Sequence, residues 1–345
     1  MSHSKIRVKR FYQLLRHEGN FDFIKTLDEG IKLPAQVFSE CFLKHLLETN
    51  DELLLVKNVA RELGLQPADV QGFVENMLEM GVLERFEEPD IQKFERYDRQ
   101  MLFWDTMQPV ADYGESCLRQ ARISKAHVAV IGIGGIGNYF ALSLAASGIG
   151  KISLVDGDIV ETSNLSRQIL FSAADVGQPK AEAAVKRLHL TNPDCQLVAY
   201  HEMIDSPQAL RSLLERIAPV DYLILSADQA VALPRWASDL RKEFNFKAVK
   251  CGYMGYLGLI GPFFGPNTPG YEELFQSWAG LIASQDEMVK GYHARHAAPA
   301  SSASNAIFAN IACLEVLKDL SGTGHVNLMG KRLLFNLKTL ESRWG

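Results

Sequence analysis

A doubly wound α/β fold preceded by a small α+β domain is what this sequence predicts, on three observations. Apolar runs near 127–132, 151–155, 196–201, 221–226 and 247–251 alternate with helical patterns near 136–148, 178–191, 207–217 and 231–244. That βα repetition is the mark of a parallel sheet covered on both faces. The first run, His127-Val-Ala-Val-Ile131, leads straight into a glycine-rich turn, Gly132-Ile-Gly-Gly-Ile-Gly137, and then a helical stretch. Residues 1–90 lack the alternation and carry the whole charge excess, with 11 Lys and Arg against 16 Asp and Glu, while the remaining residues balance 25 of each.

Taken in order, Ile6 to Phe11 and Phe21 to Leu27 read as short strands, separated by turn signals at Glu18-Gly-Asn20 and Glu29-Gly30. Helical stretches follow near 34–48, 51–63 and 67–80, the last opened by Pro67 in its first turn. Gly81-Val-Leu-Glu-Arg85 reads as the start of a wing, which makes residues 1–90 winged-helix-like. A reader of DNA needs cations on its recognition helix, and Ala68 to Met80 contains no Lys or Arg, so nucleic acid is not an expected partner. Residues 91–345 form the second expected domain. Beyond the alternating elements, Tyr256 to Phe264 and Arg332 to Lys338 are expected as antiparallel strands, with a helix from Asn305 to Leu320 packed beneath them. A crossover segment at about 266–304 ends in Pro299-Ala-Ser-Ser-Ala-Ser304, read as flexible.

The start, Met1-Ser-His-Ser-Lys5, has no apolar signal region and no apolar stretch is long enough to span a bilayer, so a cytoplasmic protein without a membrane partner is expected. Cys41, Cys117, Cys195, Cys251 and Cys313 are an odd and dispersed set, which reads as buried thiols rather than a disulfide framework.

The chemistry lies between 132 and 228. A glycine turn opening a helix presents backbone N–H groups and the positive end of the dipole to an anion, for NAD, FAD and ATP alike. Asp156, in Leu154-Val-Asp-Gly-Asp158, sits where a ribose would be bound. Arg167, in Asn164-Leu-Ser-Arg-Gln168, and Lys180, in Asp175-Val-Gly-Gln-Pro-Lys180, add cations beyond the ribose strand. These suit the β and γ groups of a triphosphate better than a nicotinamide slot. Asp228, ending the run Asp221 to Asp228, suits Mg²⁺ opposite them.

With the upstream Arg96-Tyr-Asp-Arg-Gln100, these motifs resemble the ThiF/MoeB/E1-like adenylating superfamily from about Arg96 to about Leu320. The resemblance implies ATP and Mg²⁺ as cofactors and a Rossmann-like mixed sheet. It implies that Gly132, Gly134, Gly135 and Gly137 form the nucleotide turn, that Asp156 and Asp158 lie at the ribose side, and that Asn164, Arg167, Gln168 and Lys180 contact phosphates. Asp228 becomes the magnesium ligand. Arg99 matches an arginine that crosses a two-fold axis in this family, which implies a homodimer.

Many relatives bind zinc through two CxxC pairs. Gly270-Tyr-Glu-Glu273 and the tail Leu340 to Gly345 contain no thiol, so no structural zinc is expected. The crossover segment also lacks the cysteine used for thioester relay. In layout the chain resembles the enzymes that mature ribosomally made peptide antibiotics of the microcin C and pantocin A types, the zinc-free pantocin type most of all. That resemblance implies a leader-peptide-binding domain at 1–90, in which Ile6 to Phe11 and Phe21 to Leu27 supply the sheet edge that a leader strand joins. It also implies ATP-dependent activation of a peptide carboxylate, a glutamate side chain followed by intramolecular condensation. AMP transfer to a peptide C-terminus, adenylation of a sulfur-carrier protein, a peptide-binding adaptor and a nicotinamide oxidoreductase are the alternatives. His293, Arg295 and His296, in Tyr292-His-Ala-Arg-His296, are candidate base or substrate-clamp residues.

Overall fold

The computed structural model describes residues 4–87, 93–108, 112–227, 232–274 and 298–345. The chain divides into two compact units, Met1–Ala121 and Arg122–Gly345.

In the amino-terminal unit, strand β1 (Lys5–Val8) pairs antiparallel with β5 (Leu83–Phe86), so the expected wing strand closes a two-stranded ribbon. A separate three-stranded sheet has the order β2 (Gln13–His17), β3 (Asn20–Ile24), β4 (Gly30–Pro34). This corrects the reading of Phe21 to Leu27 as an edge: that strand is central, flanked on both sides. The β2–β3 hairpin turns on Glu18 (φ 49°) and Gly19 (φ 76°), the two positive φ values that a tight hairpin's twist requires. Helices α1 (Val37–Glu48), α2 (Glu52–Leu63) and α3 (Pro67–Glu79) enclose Phe23, Phe42, Leu55, Val59, Val74 and Leu83. Asp51 caps α2 by accepting the Leu54 N–H at 2.8 Å, and Gly64 (φ 65°) ends it in the left-handed region.

Helix α4 (Asp98–Met107) closes over a cluster of Phe86, Phe94, Met101, Tyr113 and Cys117. Tyr113 and Cys117 lie on α5 (Tyr113–Ile123). Trp104 is buried, whereas Phe103 and Met107 are exposed, so only the tryptophan serves the core.

The second unit is an eight-stranded mixed sheet. Strands β6 (His127–Ile131), β7 (Lys151–Val155), β8 (Gln196–Tyr200), β9 (Tyr222–Leu225) and β10 (Lys247–Met254) fall where the apolar runs predict. They are followed by β11 (Leu257–Phe264), β12 (Leu333–Asn336) and β13 (Glu341–Trp344). The order is β13-β12-β11-β10-β9-β6-β7-β8, parallel from β8 to β10 and antiparallel beyond. Strand β13 is absent from the sequence expectation because its residues are exposed and carry no apolar alternation.

Helices α6 (Gly135–Ala146), α7 (Lys180–Thr191), α8 (Pro207–Ile217) and α9 (Ala232–Leu240) connect the parallel strands. After the short α10 (Tyr271–Leu274) comes α11 (Ser302–Ser321). Ser301 caps α11 by accepting the Ser304 N–H, so residues 302–304, expected as a flexible end, are its first turn. Trp236 packs against the core around Leu210, Leu223 and Phe246, the apolar role of tryptophan. Among the described residues no helix is long and apolar enough to cross a membrane.

Candidate nucleotide site

The strand order reverses direction between β6 and β9, and each strand is followed there by a small residue, Gly132 and Ser226. In an open α/β sheet such a switch point leaves a crevice beyond the carboxyl ends of the strands. Ser226 Oγ donates to the carbonyl of Gly132 at 2.7 Å, tying the two strand ends together.

The glycines of the turn serve different ends. Gly132 has φ 93°, and a Cβ there would lie 2.5 Å from the Ala227 nitrogen. At Gly137 a Cβ would lie 1.9 Å from the Gly132 carbonyl oxygen, so the helix approaches the strand only because this residue has no side chain. Gly135 is confined by Asn305, whose Nδ2 would be 2.1 Å from a Cβ. Gly134 caps α6 and faces open space, with nothing within 4 Å of a Cβ, so the first turn of the helix is accessible there.

Asp156 follows β7 and is nearly buried. One carboxylate oxygen accepts the Ile133 N–H at 2.6 Å and the other the Asp158 N–H at 2.8 Å. Burial pushes its carboxyl above the usual range, an effect that Lys180 and the two backbone donors partly offset. Lys180, the first residue of α7, is buried with its Nζ 2.8 Å from Asp158 Oδ2, and its backbone N–H donates to the Asp158 carbonyl at 3.0 Å. Asp156, Asp158 and Lys180 are therefore brought together beside the glycine turn.

The other expected contacts are placed differently. Asn164 Oδ1 accepts the Glu161 N–H at 3.1 Å and caps the 3₁₀ turn Thr162–Asn164, so its side chain shapes the loop. Arg167 donates to the Ser163 carbonyl at 2.8 Å. Gln168 is buried, and its Oε1 lacks a hydrogen-bond partner. Arg99 is exposed at the second position of α4, in the amino-terminal unit. Asp228, His293, Arg295 and His296 lie outside the described residues.

Two asparagines matter that the sequence reading did not single out. Asn138, fully buried on α6, donates to the carbonyls of Ile133 and Gly134 at 2.8 and 3.0 Å and accepts the Leu170 N–H at 2.8 Å. It locks the glycine turn to the segment bearing Arg167 and Gln168. The available signal was an asparagine inside the otherwise apolar helix Gly135 to Ala146. Asn305, also fully buried, leaves both side-chain polar atoms without partners beside Gly135. Orphaned groups of this kind cost on the order of 1–3 kcal/mol each and mark functional or strained positions.

All five cysteines are buried, and burial pushes the thiols of Cys251 and Cys313 up to about 12 and that of Cys195 to about 11. None of these three is a poised nucleophile.

Comparison with known proteins gives the family and the fold. Residues 97–344 match the ThiF family. The sulfur carrier protein adenylyltransferase of Thermus thermophilus is 37% identical over 137 residues, which cover 40% of this chain and 46% of that protein. The chain spans about half the length of the curated relatives it matches. Among solved structures, Escherichia coli MccB with ATP superposes with a TM-score of 0.77 at 21% identity, covering 99% of this chain and 96% of that one. PaaA gives 0.76 at 23% identity, covering 98% of each chain. At these identities the likeness shows the fold alone, and it extends over both units.

Proposed function

This chain belongs to the ThiF family, and we propose that it is an ATP-dependent adenylating enzyme acting on a carboxylate of a ribosomally made precursor peptide. The observation that carries the reading is the meeting of an accessible helix start at Gly134 with Asp156, Asp158 and Lys180 at the switch point of the sheet.

In this reading the ribose lies against Asp156, whose oxygens keep lone pairs beyond the two backbone bonds they accept. The phosphates lie over the amino end of α6. The Lys180 ammonium has three donors and is anchored by Asp158, so it retains N–H groups for charge developing on the pyrophosphate. A peptide carboxylate is already ionised at neutral pH and needs no base to attack the α-phosphorus. One acyl oxygen–phosphorus bond forms and one phosphorus–oxygen bond breaks, releasing pyrophosphate. The protein's contribution is to hold two anions in line and to stabilise the leaving group. Asp228 is assigned Mg²⁺, which would neutralise phosphate charge, and Arg99 is assigned to the partner subunit's nucleotide in a homodimer.

For the substrate, the favoured reading is a glutamate side chain activated for intramolecular condensation, with His293, Arg295 and His296 near the acyl end. Support comes from the amino-terminal unit. Strand β2 is an edge strand exposed along its length, with Leu14 and Leu15 open to solvent, as strand addition by a leader peptide requires. Solved structures of MccB include its complex with N-formylated MccA, a peptide-bound protein of the same fold. A second reading, adenylation of a sulfur-carrier protein, is favoured by the names of the curated relatives.

The test is mass spectrometry of a Glu-Glu-containing precursor peptide incubated with enzyme, ATP and Mg²⁺, with Lys180→Ala as control. Loss of water, with or without carbon dioxide, in the wild type alone supports condensation. An added AMP-derived mass supports nucleotide transfer instead. Pyrophosphate exchange with a carrier protein but with no peptide overturns the peptide reading.

A further inference from the structure

Among the described residues, one grouping of three potential metal ligands stands apart from the nucleotide site. Cys41 and His45 are four residues apart on α1 and share one helix face, and Glu62 faces them from the last turn of α2. One ligand atom from each lies within 4.8 Å of the other two. Cys41 and His45 are buried, while Glu62 is exposed, so the cluster is walled on the inside and open on one side.

The imidazole is already oriented as a metal-bound histidine would be. Its Nδ1 is 2.9 Å from Glu48 Oε2, and its Nε2 points at Glu62 Oε2 at 2.8 Å. Histidine ligands commonly give their second nitrogen to a carboxylate, which fixes the ring and its tautomer. A cation entering between Nε2 and Glu62 would need that contact to open only to about 3.3 Å, the separation of two ligands at about 2.0–2.1 Å in tetrahedral geometry. Lys44 Nζ lies 3.2 and 3.3 Å from the two Glu62 oxygens and steadies the carboxylate on its solvent side.

We propose that Cys41, His45 and Glu62 form a site for one divalent cation, zinc by its mixed sulfur, nitrogen and oxygen donors, which clamps α1 to α2. Water takes the fourth position on the open side. An ion-pair network of His45, Glu48, Glu62 and Lys44, with the Cys41 thiol hydrogen-bonded to Glu62, gives a net gain of about 0–1 kcal/mol per exposed pair without a metal, and the presence or absence of a thiolate-to-metal bond separates the two readings. Such a site differs from the CxxC places where zinc was not expected, and it makes the chain a zinc protein by another route.

The test is titration of the chelator-stripped, full-length protein with Co²⁺ and then Zn²⁺. One equivalent of Co²⁺ should produce a thiolate-to-cobalt absorption band that Zn²⁺ abolishes by displacement. The band should be missing in Cys41→Ala, and Glu48→Gln should weaken Co²⁺ binding roughly tenfold. Because Cys41 is buried, Glu62→Gln provides a second variant at an exposed position, and its Co²⁺ affinity should fall at least tenfold by order of magnitude. A wild type without the band overturns the site, as does a full band in Cys41→Ala or an unchanged affinity in Glu62→Gln.

Discussion

Each unit of this chain carries a prominent charge cluster, one enclosed in a core and the other at an open sheet edge. In the amino-terminal unit Lys9, Glu84 and Asp105 are fully buried together, with Lys9 Nζ 3.4 Å from Glu84 and 3.6 Å from Asp105. Arg7 adds a contact to Glu84 at 2.7 Å, and Arg119 and Ser116 hold Asp105 at 3.0 and 2.8 Å. In the sheet unit the core around Leu210, Leu223, Leu225 and Phe264 is apolar, and Asp156, Asp158 and Lys180 stand at the carboxyl edge of the strands. Charges enclosed in a core fix a fold and are out of reach of a ligand, even though Arg7 Nη2 keeps no hydrogen-bond partner. A charge cluster at an open edge does the reverse, which is why the second unit is the one assigned the chemistry.

The largest test of that contrast is Lys180→Ala. Pyrophosphate exchange should fall about 10²- to 10³-fold, the usual loss of a donor to transition-state charge, with a smaller loss of stability than at a fully enclosed pair because Asp158 is half exposed. A loss under about tenfold would remove Lys180 from the proposed role.

Glu84→Ala should show the opposite pattern. It strips Lys9 and Arg7 of a buried partner and should cost about 3–5 kcal/mol. Hydrogen exchange should rise in residues 4–87 while β6, β7 and β9 stay protected; a uniform rise across both units would deny that they are separate in stability.

Gly132→Ala should act on the other side. Its φ of 93° costs a side chain about 1–3 kcal/mol, and contact with the Ala227 backbone adds to this. Faster exchange confined to the second unit is expected, and protection equal to the wild type would mean that the turn can relax.

The smallest effect separates the units by acid. Burial holds the His127 imidazole below its usual range, with Nδ1 at the Pro219 carbonyl and Nε2 at Ser153. The unfolded chain therefore takes up the proton first, and stability of the second unit should decline as pH falls below about 6.5. Hydrogen bonding from Arg85 holds the Glu52 carboxyl below its usual range. That contribution is fully present above the unfolded pKa of about 4.3 and is lost only as pH falls further. The second unit should thus loosen at milder acidity than the first. His127→Gln should flatten the dependence of its melting between pH about 7 and 5, and an unchanged slope would assign it to another group.

The central parallel strands were legible because they are buried on both faces and read as continuous apolar runs, as in His127 to Ile131 and Tyr222 to Leu225, whereas the edge strand β8 is only half-buried. Strands β2, β4 and β13 are exposed or alternate weakly, and only their pairing defines them. Within the site, the glycine spacing and the positions of Asp156 and Lys180 could be read directly, because a turn, a strand end and a helix start are local events. The contact of Asn305 with Gly135 could not, since it joins residues 170 positions apart. The same holds for Ser226 on Gly132.

By itself, then, the sequence determined the alternation of strands and helices from β6 to β10, the family and the chemical types at the nucleotide turn, all set by patterns a few residues long. Tertiary structure alone decided that Phe21 to Ile24 is a central strand, that Asn138 ties the turn to Leu170, and that Cys41, His45 and Glu62 meet. Those outcomes depend on which distant segments share a core, and burial and hydrogen-bond satisfaction select among pairings that local patterning leaves equal.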